Sequence, residues 1–535
     1  MPKIAGLASN RGRNLMHLQD RNPGGASLAV VVSDHADAPV LEKAENRGID
    51  TVAVERPPDM DRREHERRLL QALADADPDL VALDGYMQIL SETFLENVLL
   101  TINVHPSLLP AFPGTQVHER VLDAGVAVTG CTVHVVTDAV EEDGSVIEEE
   151  IDAGPIITQE PVPVRPEDDP ESLKRRVLHE GEFRAYPRAI EMIAAGQVDV
   201  DGEGVEVTEA GGQFPSRRFD STDRVRELRY GENPHQDAAL YADPTCEAAN
   251  VVDAAQLNEG AKALSYNNYN DADAALNLVR EFDAPAAAVI KHTNPAGCAV
   301  ADSVGAAYER ALATDPKSAF GGIVALNRPC DETAAEAIVE SFKETVVAPA
   351  YTEGALDVLS RRENLRVLDV GDLGEGSLGH AEKPLVGGRL VQERDAQAPS
   401  PTALETATER EPTEGELESL LFAWQTAKHV KSNAIVLADG TETVGIGMGQ
   451  ASRVDAVELA TRKAERDAEG TDASGSVMAS DAFFPFPDGI EVAAEAGVEA
   501  VIQPGGSKND EAVIEAADER DMAMVFTGTR AFRHD

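Results

Sequence analysis

Two short polar clusters in this chain combine residue types that can move protons. Asn103 and His105 stand in the first cluster, and Lys291 and His292 stand in the second. Each cluster comes at the end of an apolar run, where acid–base chemistry can be held away from bulk water. Two such clusters predict two active sites in one chain.

A carboxylate and a glycine-containing turn add to the first cluster. Asp152 lies on a tight turn ahead of an apolar segment, and residues 4–15 are predicted to form a strand, a polar glycine-containing turn and the start of a helix. An amide and a charged imidazole can stabilise an oxyanion while a carboxylate keeps the imidazole charged, which suits acyl transfer. Backbone N–H groups at a helix start can seat a phosphate. Taken singly, these residues also fit a core histidine and ordinary turns.

The second cluster is notable because lysine is scarce, with twelve in the chain. A lysine beside a histidine at a predicted strand end therefore favours function over idle surface charge. The ammonium group disfavours a second positive charge on the imidazole, which keeps the ring able to accept a proton near pH 7. Further along, Phe483, Phe484 and Phe486 surround a proline; they either belong to the core or wall a planar ligand.

Alternating strands and helices must position the first cluster. Apolar runs predict strands at residues 3–8, 28–33, 51–54, 80–83 and 100–103, with helical segments between them. This alternation predicts a doubly wound α/β domain with a parallel sheet, whose ligands bind beyond the carboxyl ends of the strands. Asn103 and His105 fall at one such end.

The pattern changes after a polar, glycine-rich stretch. We predict a first domain at residues 1–197, a linker at 198–223 and a second α/β domain at 224–535. Strands are expected in the second domain at 287–290, 322–326, 434–437, 476–479, 500–503 and 524–527. The sequence shows no convincing internal repeat.

Composition narrows the class of protein. A hydrophobic content of 42% can build cores, while the formal charge of −49 is spread along the chain. Dispersed acidity with few lysines is typical of a salt-rich cytosol and disfavours nucleic acid as a partner. Four scattered cysteines predict no metal site and a reducing compartment. No apolar run approaches 18 residues and no signal peptide is evident, so we expect a cytoplasmic protein without a membrane segment.

The first region resembles phosphoribosylglycinamide (GAR) formyltransferase over roughly residues 1–195. The resemblance rests on the segments 85–90, 103–114, 129–134 and 152–155, in that order. It implies catalytic roles for Asn103, His105 and Asp152. It also implies binding roles for a further set: phosphate at Gly12, Arg13 and Asn14, the glycinamide amine at Glu182, and folate at Arg63, Met87, Gln88, Ile89 and Leu90.

Three departures from that family stand out. Arg13 occupies the place of a usual serine, and Gln88 that of a usual arginine. The acidic stretch at 139–150 is longer than the family's and lacks the ligand spacing of a calcium loop. We interpret it as a solvated insertion, and we therefore choose Asp152 rather than Asp143 as the catalytic carboxylate.

The second region resembles the aminoimidazole carboxamide ribonucleotide (AICAR) formyltransferase domain of the bifunctional purine-biosynthesis protein. The resemblance spans about residues 224–535, on the segments 229–236, 291–297, 318–322, 428–433, 445–453 and 480–489. It implies that Lys291, His292 and Asn433 carry the chemistry. Nucleotide binding is implied for Arg229, Tyr230, Phe320, Gly321, Glu344 and Arg530, and folate binding for Arg453, Phe483, Asp488 and Gly489.

That resemblance also implies a fold and a partner. The family has a pair of deaminase-like α/β halves without zinc ligands, and its sites form across a homodimer interface. The IMP cyclohydrolase domain that usually precedes it has no counterpart among residues 1–223, so we expect another protein to close the ring.

Together the two resemblances predict a bifunctional enzyme of purine synthesis that uses 10-formyl-tetrahydrofolate at both sites. Two alternatives remain for the N-terminal domain. It could formylate another amine, such as an aminoacyl-tRNA, or it could be a folate-binding or assembly module without catalysis. The charge of −49 counts against the first. The joint presence of Asn103, His105 and Asp152 counts against the second.

Overall fold

The computed structural model describes residues 2–98, 100–141, 143–201, 204–208, 222–258, 261–374, 376 and 378–534. The chain divides into two compact units, Met1–Arg218 and Phe219–Asp535, and each has cores of its own. Among the described residues, no helix is both long and apolar enough to cross a membrane.

The first unit is built on a seven-stranded sheet with the order β3-β2-β1-β4-β5-β6-β7. The first five strands in the chain are parallel, β6 pairs antiparallel with β5, and β7 pairs antiparallel with β6. This confirms the predicted doubly wound α/β class. The strands are β1 (Lys3–Leu7), β2 (Ser27–Ser33), β3 (Asp50–Ala53), β4 (Leu80–Leu83), β5 (Thr101–His105), β6 (Val128–Val135) and β7 (Ile156–Pro163).

Helices cover both faces of this sheet. Leu15, Val31 and Ile102 belong to the core on one face, and Leu7, Val32 and Leu69 to the core on the other. Successive strand residues thus point to opposite faces, as the pleat requires. The helices are α1 (Arg13–Arg21), α2 (Pro39–Glu45), α3 (Arg62–Ala74), α4 (Glu92–Leu95), α5 (Val117–Ala124), α6 (Pro170–Arg176) and α7 (Phe183–Ala194), with a π-helical segment at Val177–Glu182 before α7.

The start of the predicted linker needs a correction. Residues 198–207 contain an antiparallel pair, β8 (Val198–Asp201) and β9 (Gly204–Val207). Val198 and Val205 pack against the first unit's core. Valine alternates with acidic residues here, which is the period of a strand with one buried face, but the high polarity masked it. Residues 209–221 of the predicted linker lie outside the described residues.

The second unit contains a twelve-stranded sheet made of two halves with the same order of elements. Each half runs strand, helix, hairpin, helix, and then three parallel strands joined by helices. The first half contains β12 (Ala255–Gln256), α8 (Tyr266–Val279), β13 (Ala286–Lys291), β14 (Asn294–Val300), α9 (Val304–Thr314), β15 (Ile323–Leu326), α10 (Glu332–Val339), β16 (Thr345–Ala348), α11 (Glu353–Leu359) and β17 (Arg366–Asp369).

The second half repeats this order, although the sequence shows no repeat. It contains β20 (Glu405–Thr406), α12 (Glu414–Ala427), β21 (Ile435–Asp439), β22 (Glu442–Gly447), α13 (Arg453–Arg466), β23 (Val477–Ser480), α14 (Asp488–Glu495), β24 (Ala500–Gln503), α15 (Asp510–Asp518) and β25 (Ala523–Phe526). Outside the large sheet lie two hairpins, β10 (Asp223–Leu228) with β11 (Ala238–Ala242) and β18 (His380–Leu385) with β19 (Gly388–Glu393).

Glycines allow the same close packing in both halves. A Cβ atom at Gly297 on β14 would lie 1.9 Å from the carbonyl oxygen of Ala311 on α9. A Cβ atom at Gly447 on β22 would lie 1.9 Å from the carbonyl oxygen of Ala456 on α13. The two halves meet where β14 pairs antiparallel with β22. The β13–β14 turn therefore lies beside the loops that flank β21 and β22 at that end of the sheet.

Candidate active sites

The first site lies where the strand order of the first unit reverses. β1 has β2 on one side and β4 on the other, and a crevice for ligands is expected at the carboxyl ends of such strands. The loops after β1 and β4 are joined there, since the Met87 N–H donates to Ser9 Oγ at 2.9 Å. Asn103 and His105 end the neighbouring strand β5.

Asp152 links two histidines in this crevice. Its Oδ2 lies 3.1 Å from His105 Nδ1, and its Oδ1 lies 3.6 Å from His134 Nε2. His105 Nε2 lies 2.9 Å from the carbonyl oxygen of Phe112. Both ring nitrogens of His105 thus face oxygen acceptors, and a histidine donates from both nitrogens only as the imidazolium ion. The contacts therefore fit a positively charged His105.

The environment of Asp152 favours its ionised form. Burial is the largest influence on the pKa of Asp152 and raises it, but hydrogen bonds from His105, His134 and the Gly114 N–H together hold the pKa well below its usual range. The Gly114 N–H donates to Oδ2 at 2.9 Å. Asp143 is exposed and instead accepts from the Ser145 N–H. The acidic stretch thus leaves Asp152 in contact with His105.

His134 is a site residue that sequence reasoning missed as an individual candidate. It lies opposite Asn103 in the β5–β6 pair, with its Nε2 3.3 Å from Asn103 Nδ2. Its Nδ1 lies 3.0 Å from the carbonyl oxygen of Val135, so Nδ1 carries a proton. The pairing of β5 with β6 creates this contact between residues 31 positions apart, so no local spacing in the sequence predicts it.

Residues at the start of α1 form a second part of this site. Gly12 has a φ of 52° and a buried position in which a Cβ atom would meet Val40 at 2.2 Å. Arg13 is exposed, whereas Asn14 is buried. Asn14 Nδ2 donates to Glu182 Oε2 at 2.6 Å. Burial raises the pKa of Glu182 to about 7, against the hydrogen bond from Asn14, which lowers it.

The predicted folate loop follows β4. Met87 is 66% exposed and so has no core role. Gln88 donates from Nε2 to Asp34 at 2.9 Å and accepts from Arg56 Nη1 at 3.3 Å. The Gln88 amide therefore bridges the buried Asp34 and Arg56. Gln88 stands where the family that this region resembles usually has an arginine. Ile89 and Leu90 complete the loop, and the other predicted residue, Arg63, is exposed in the first turn of α3.

The second site begins at the end of β13. Lys291 donates from Nζ to the carbonyl oxygen of Gly321 at 2.9 Å, and Gly321 has a φ of 67°. The neighbouring Phe320 is 62% exposed, and its ring centroid lies 5.5 Å from that of Phe342. The structure thus brings Lys291, Phe320 and Gly321 together beside a largely open aromatic surface.

Backbone contacts hold the turn that carries His292. Asp271 accepts from the N–H groups of His292 and Thr293 at 3.2 and 2.7 Å. Both turn residues have positive φ values, 54° and 62°. The His292 side chain is exposed. Asn294 Oδ1 accepts from the Lys431 N–H at 2.9 Å, so the turn is also tied to the loop before β21.

Asn433 belongs to a buried polar network. Its Oδ1 accepts from Arg453 Nη2 at 2.7 Å, and its Nδ2 donates to the carbonyl oxygen of Gln450 at 2.9 Å. Arg453 Nη1 also donates to Asp481 and to Ser480 Oγ. Arg453 is 8% exposed and Asp481 is fully buried, so the charges compensate one another. The protein itself occupies much of the hydrogen-bonding capacity of Asn433.

A cavity of about 440 Å³ lies beside this network. Phe486 is 59% exposed on its wall, whereas Phe484 is 1% exposed in the core. The aromatic run therefore has both of the roles that the sequence left open: Phe484 belongs to the core, and Phe486 lines the cavity. The lining includes five predicted site residues, Asn433, Arg453, Phe483, Asp488 and Arg530. Gly489 lies beneath Phe484, where a Cβ atom would come within 2.7 Å of the ring.

The remaining nucleotide-binding candidates form a separate group. The Arg229 guanidinium lies 4.8 Å from the Tyr230 ring centroid. Glu344 accepts from Asn268 Nδ2 at 2.8 Å and lies 3.8 Å from Arg366 Nη1. Burial lowers the pKa of Arg366, Glu344 raises it and Arg229 lowers it again, so these charges lie near one another.

Family comparisons match both regions in chain order. The AICARFT/IMPCHase bienzyme model matches residues 185–463, just over half of the chain. The chain belongs to this family. The Formyl transferase model matches residues 2–190. These two matches confirm the predicted fusion of two formyltransferase regions. No group of three or more side chains with metal-binding geometry occurs in the described part of the chain.

Solved structures similar to this chain correspond to its first region. Glycinamide ribonucleotide transformylase 1 from Symbiobacterium toebii is 38% identical, with 39% of this chain and 95% of that chain covered and a TM-score of 0.36. Phosphoribosylglycinamide formyltransferase from Brucella melitensis is 39% identical, with 37% and 99% covered and a TM-score of 0.33. Phosphoribosylglycinamide formyltransferase from Anaplasma phagocytophilum is 36% identical, with 39% of this chain and 96% of that chain covered and a TM-score of 0.34.

Proposed function

We propose that this family member transfers the formyl group of 10-formyl-tetrahydrofolate to two different amines. Phosphoribosylglycinamide is the acceptor in the first unit, and AICAR is the acceptor in the second. The observation that carries the proposal is the order of two formyltransferase matches, each of which contains a polar cluster at strand ends. In both reactions the amine attacks the formyl carbon, a C–N bond forms, and the bond to folate N10 breaks.

In the first unit, we assign oxyanion stabilisation to Asn103 and His105. An imidazolium and an amide donor favour the negative charge that develops on the formyl oxygen. Asp152 keeps His105 charged and can relay the proton that the amine loses to the leaving N10. Gly12, Arg13 and Asn14 are proposed to hold the phosphate, and Glu182 the amine. Arg63 and the loop residues Met87, Gln88, Ile89 and Leu90 are proposed to bind folate.

In the second unit, the acceptor amine is conjugated with its ring and is a poor nucleophile. Lys291 and His292 supply an ammonium group and an imidazole for proton transfer, and Asn433 lies at the adjoining cavity. The half-buried Phe483 and the exposed Phe486 line the cavity and fit a planar pterin ring, with Arg453, Asp488 and Gly489 on the same side. Arg229, Tyr230, Phe320, Gly321, Glu344 and Arg530 are assigned to the nucleotide.

An assay of the purified chain tests the proposal directly. Purified protein in molar potassium chloride is mixed with 10-formyl-tetrahydrofolate and one amine at a time, and tetrahydrofolate formation is followed by absorbance. Turnover with both amines is expected. Turnover with only one amine would remove the assignment of the other unit, and folate binding without turnover would favour the binding-module alternative.

We also propose a homodimer formed through the second unit, in a salt-rich cytoplasm. The exposed faces of His292, Phe320 and Phe342 support the dimer, because these groups lie beside Lys291 yet remain open in a single chain. Sedimentation equilibrium in molar salt should give twice the chain mass of 56.9 kDa. A monomer that retains AICAR formylation would exclude this arrangement.

A further inference from the structure

Asp84, the first residue after β4, makes contacts at the first site that no sequence motif assigns. Its Oδ2 accepts the N–H groups of Asn14 and Leu15 at 2.8 and 3.3 Å. Its Oδ1 accepts from Asn14 Nδ2 at 3.0 Å. Asp84 thus caps α1 from another strand, where Gly12 offers no side chain for the purpose.

The Asn14 amide connects Asp84 to Glu182. One amide nitrogen donates to both carboxyl groups, at 3.0 Å to Asp84 and 2.6 Å to Glu182. These contacts set the orientation of the amide, because its nitrogen rather than its oxygen must face the two acids. Asn14 Oδ1 is left buried with no hydrogen-bond partner among the described residues. An unsatisfied buried acceptor of this kind fits a donor on a ligand.

The backbone fixes the position of Asp84 itself. Its N–H donates to the carbonyl oxygen of Leu7 at 3.0 Å, which anchors it between β1 and β4. On the other side, Tyr186 donates from its hydroxyl to the carbonyl oxygen of Leu83 at 2.8 Å and thereby ties α7 to β4. Glu182 directly precedes α7. The series of hydrogen bonds from Asp84 through Asn14 to Glu182 is therefore anchored to the fold at both ends.

We propose that Asp84 is a positioning residue for the acceptor amine at the first site. Through the Asn14 amide it holds the Glu182 carboxyl group in the position that binds the amine of the substrate. This inference rests on the proposed GAR formylation and adds a residue to it.

The charge of Asp84 also affects the pKa of Glu182. Burial raises the pKa of Glu182 most, and the charge of Asp84 raises it further, while Asn14, Lys174 and His105 lower it. Tyr186 at the start of α7 and Lys43 on α2 also face the pair, and burial raises the pKa of Asp84 itself. Removal of the Asp84 charge should therefore shift the ionisation of Glu182 to lower pH.

The test compares Asp84→Asn with Asp79→Asn in the full chain. Asp79 precedes the same strand and accepts the Lys3 N–H at 2.8 Å, so it controls for charge removal and capping away from the site. For Asp84→Asn we expect a rise of roughly tenfold or more in KM for phosphoribosylglycinamide, with KM for folate changed less. The rising limb of its pH–rate profile should move to lower pH. AICAR formylation, measured on the same sample, should stay within twofold, as should both activities of Asp79→Asn.

A double-mutant cycle with Glu182→Gln separates positioning from loss of structure. If Asp84 acts through Glu182, the double variant should lose little more activity than Glu182→Gln alone. Additive losses would mean that Asp84 only stabilises α1 and would overturn the proposal. An unchanged KM and pH profile in Asp84→Asn would overturn it too. A wild-type chain that never formylates phosphoribosylglycinamide would instead overturn the proposed function.

Discussion

The two sites hold their chemical groups in different ways. In the first, side chains hold one another: His105, Asp152 and His134 are buried or largely buried and joined by charged contacts. In the second, side chains contact the backbone instead: Asp271 accepts from two N–H groups of the turn and Lys291 donates to the carbonyl oxygen of Gly321. The His292 side chain stays exposed. The first cluster is thus ordered within one chain. The second leaves its imidazole open, as expected of a site that a second subunit completes.

Reciprocal loss of the two histidines should give the largest effects. His105→Ala removes the charged donor of the first site, and His292→Ala removes the imidazole of the second. Each change should lower its own activity by roughly 10²–10⁴-fold, the usual contribution of acid–base groups, and leave the other activity within twofold. Both activities are measured on each variant in molar salt. If one variant silenced both reactions while remaining folded, the comparison of two independent sites would fail.

Asp152→Asn tests whether the charge on His105 depends on this carboxylate. The amide keeps the shape but cannot compensate an imidazolium, so GAR formylation should fall by about 10²–10³-fold, within the range known for oxyanion-hole and acid–base groups. Asp143→Asn is the matched control, because Asp143 lies in the same acidic stretch but is exposed. The GAR formylation activity of Asp143→Asn should match that of the unchanged chain. A larger loss in Asp143→Asn than in Asp152→Asn would reverse the assignment.

Arg453→Met tests how much the buried charge network stabilises the second unit. The substitution leaves Asp481 buried without its guanidinium partner, which costs about 3–5 kcal/mol in comparable buried pairs. Arg224→Met breaks only the exposed contact with Glu227 and should cost less than about 1 kcal/mol. Chemical unfolding followed by near-ultraviolet circular dichroism measures both. Equal costs would show that the Arg453 network contributes no more than a surface pair.

The sequence predicted the strands of both units better than it predicted their contacts. All five predicted strands of the first unit and all six of the second are present, because continuous apolar runs mark buried strands. Of the strands of the large sheet that were not predicted, β14 and β22 are interrupted by glycine or proline, whereas β12, β16, β17 and β20 are only two to four residues long. A Gly-x-Gly-x-Gly run such as residues 445–449 is by itself only weak evidence for a nucleotide-binding loop. Gly445 and Gly447 instead lie in β22, where α13 packs too closely for any Cβ atom.

The site contacts could be predicted only where neighbouring residues or family motifs supplied them. His134 reaches Asp152 through strand pairing, and Asp84 reaches Asn14 across 70 positions through the order of the sheet. Neither contact leaves a local spacing signal. The repeat of the second unit escaped notice for a related reason: topology is set by the pattern of buried and exposed positions, which different residues can satisfy.

The smallest expected effect is a pH dependence of stability in the first unit. The pKa of Glu182 is raised by burial from 4.5 to about 7, so folding favours its neutral form. This contribution is fully present below the unfolded pKa and is lost as the pH rises through about 7. Asp152 acts in the opposite sense, but its pKa is held below the usual range, so it stays ionised and contributes no change across this window.

Glu182→Gln should therefore remove a specific part of the pH profile. As the pH rises from about 5 to about 8, the Tm of the first unit should fall by a few degrees more in the unchanged chain than in Glu182→Gln. Differential scanning calorimetry of the full chain in molar salt, with the two units resolved by a ligand for each, measures this difference. The second unit serves as the internal reference because it lacks Glu182. If the two Tm curves stayed parallel from pH 5 to pH 8, the carboxyl group of Glu182 would be ionised throughout that range, and the amine would meet an anion at every pH within it.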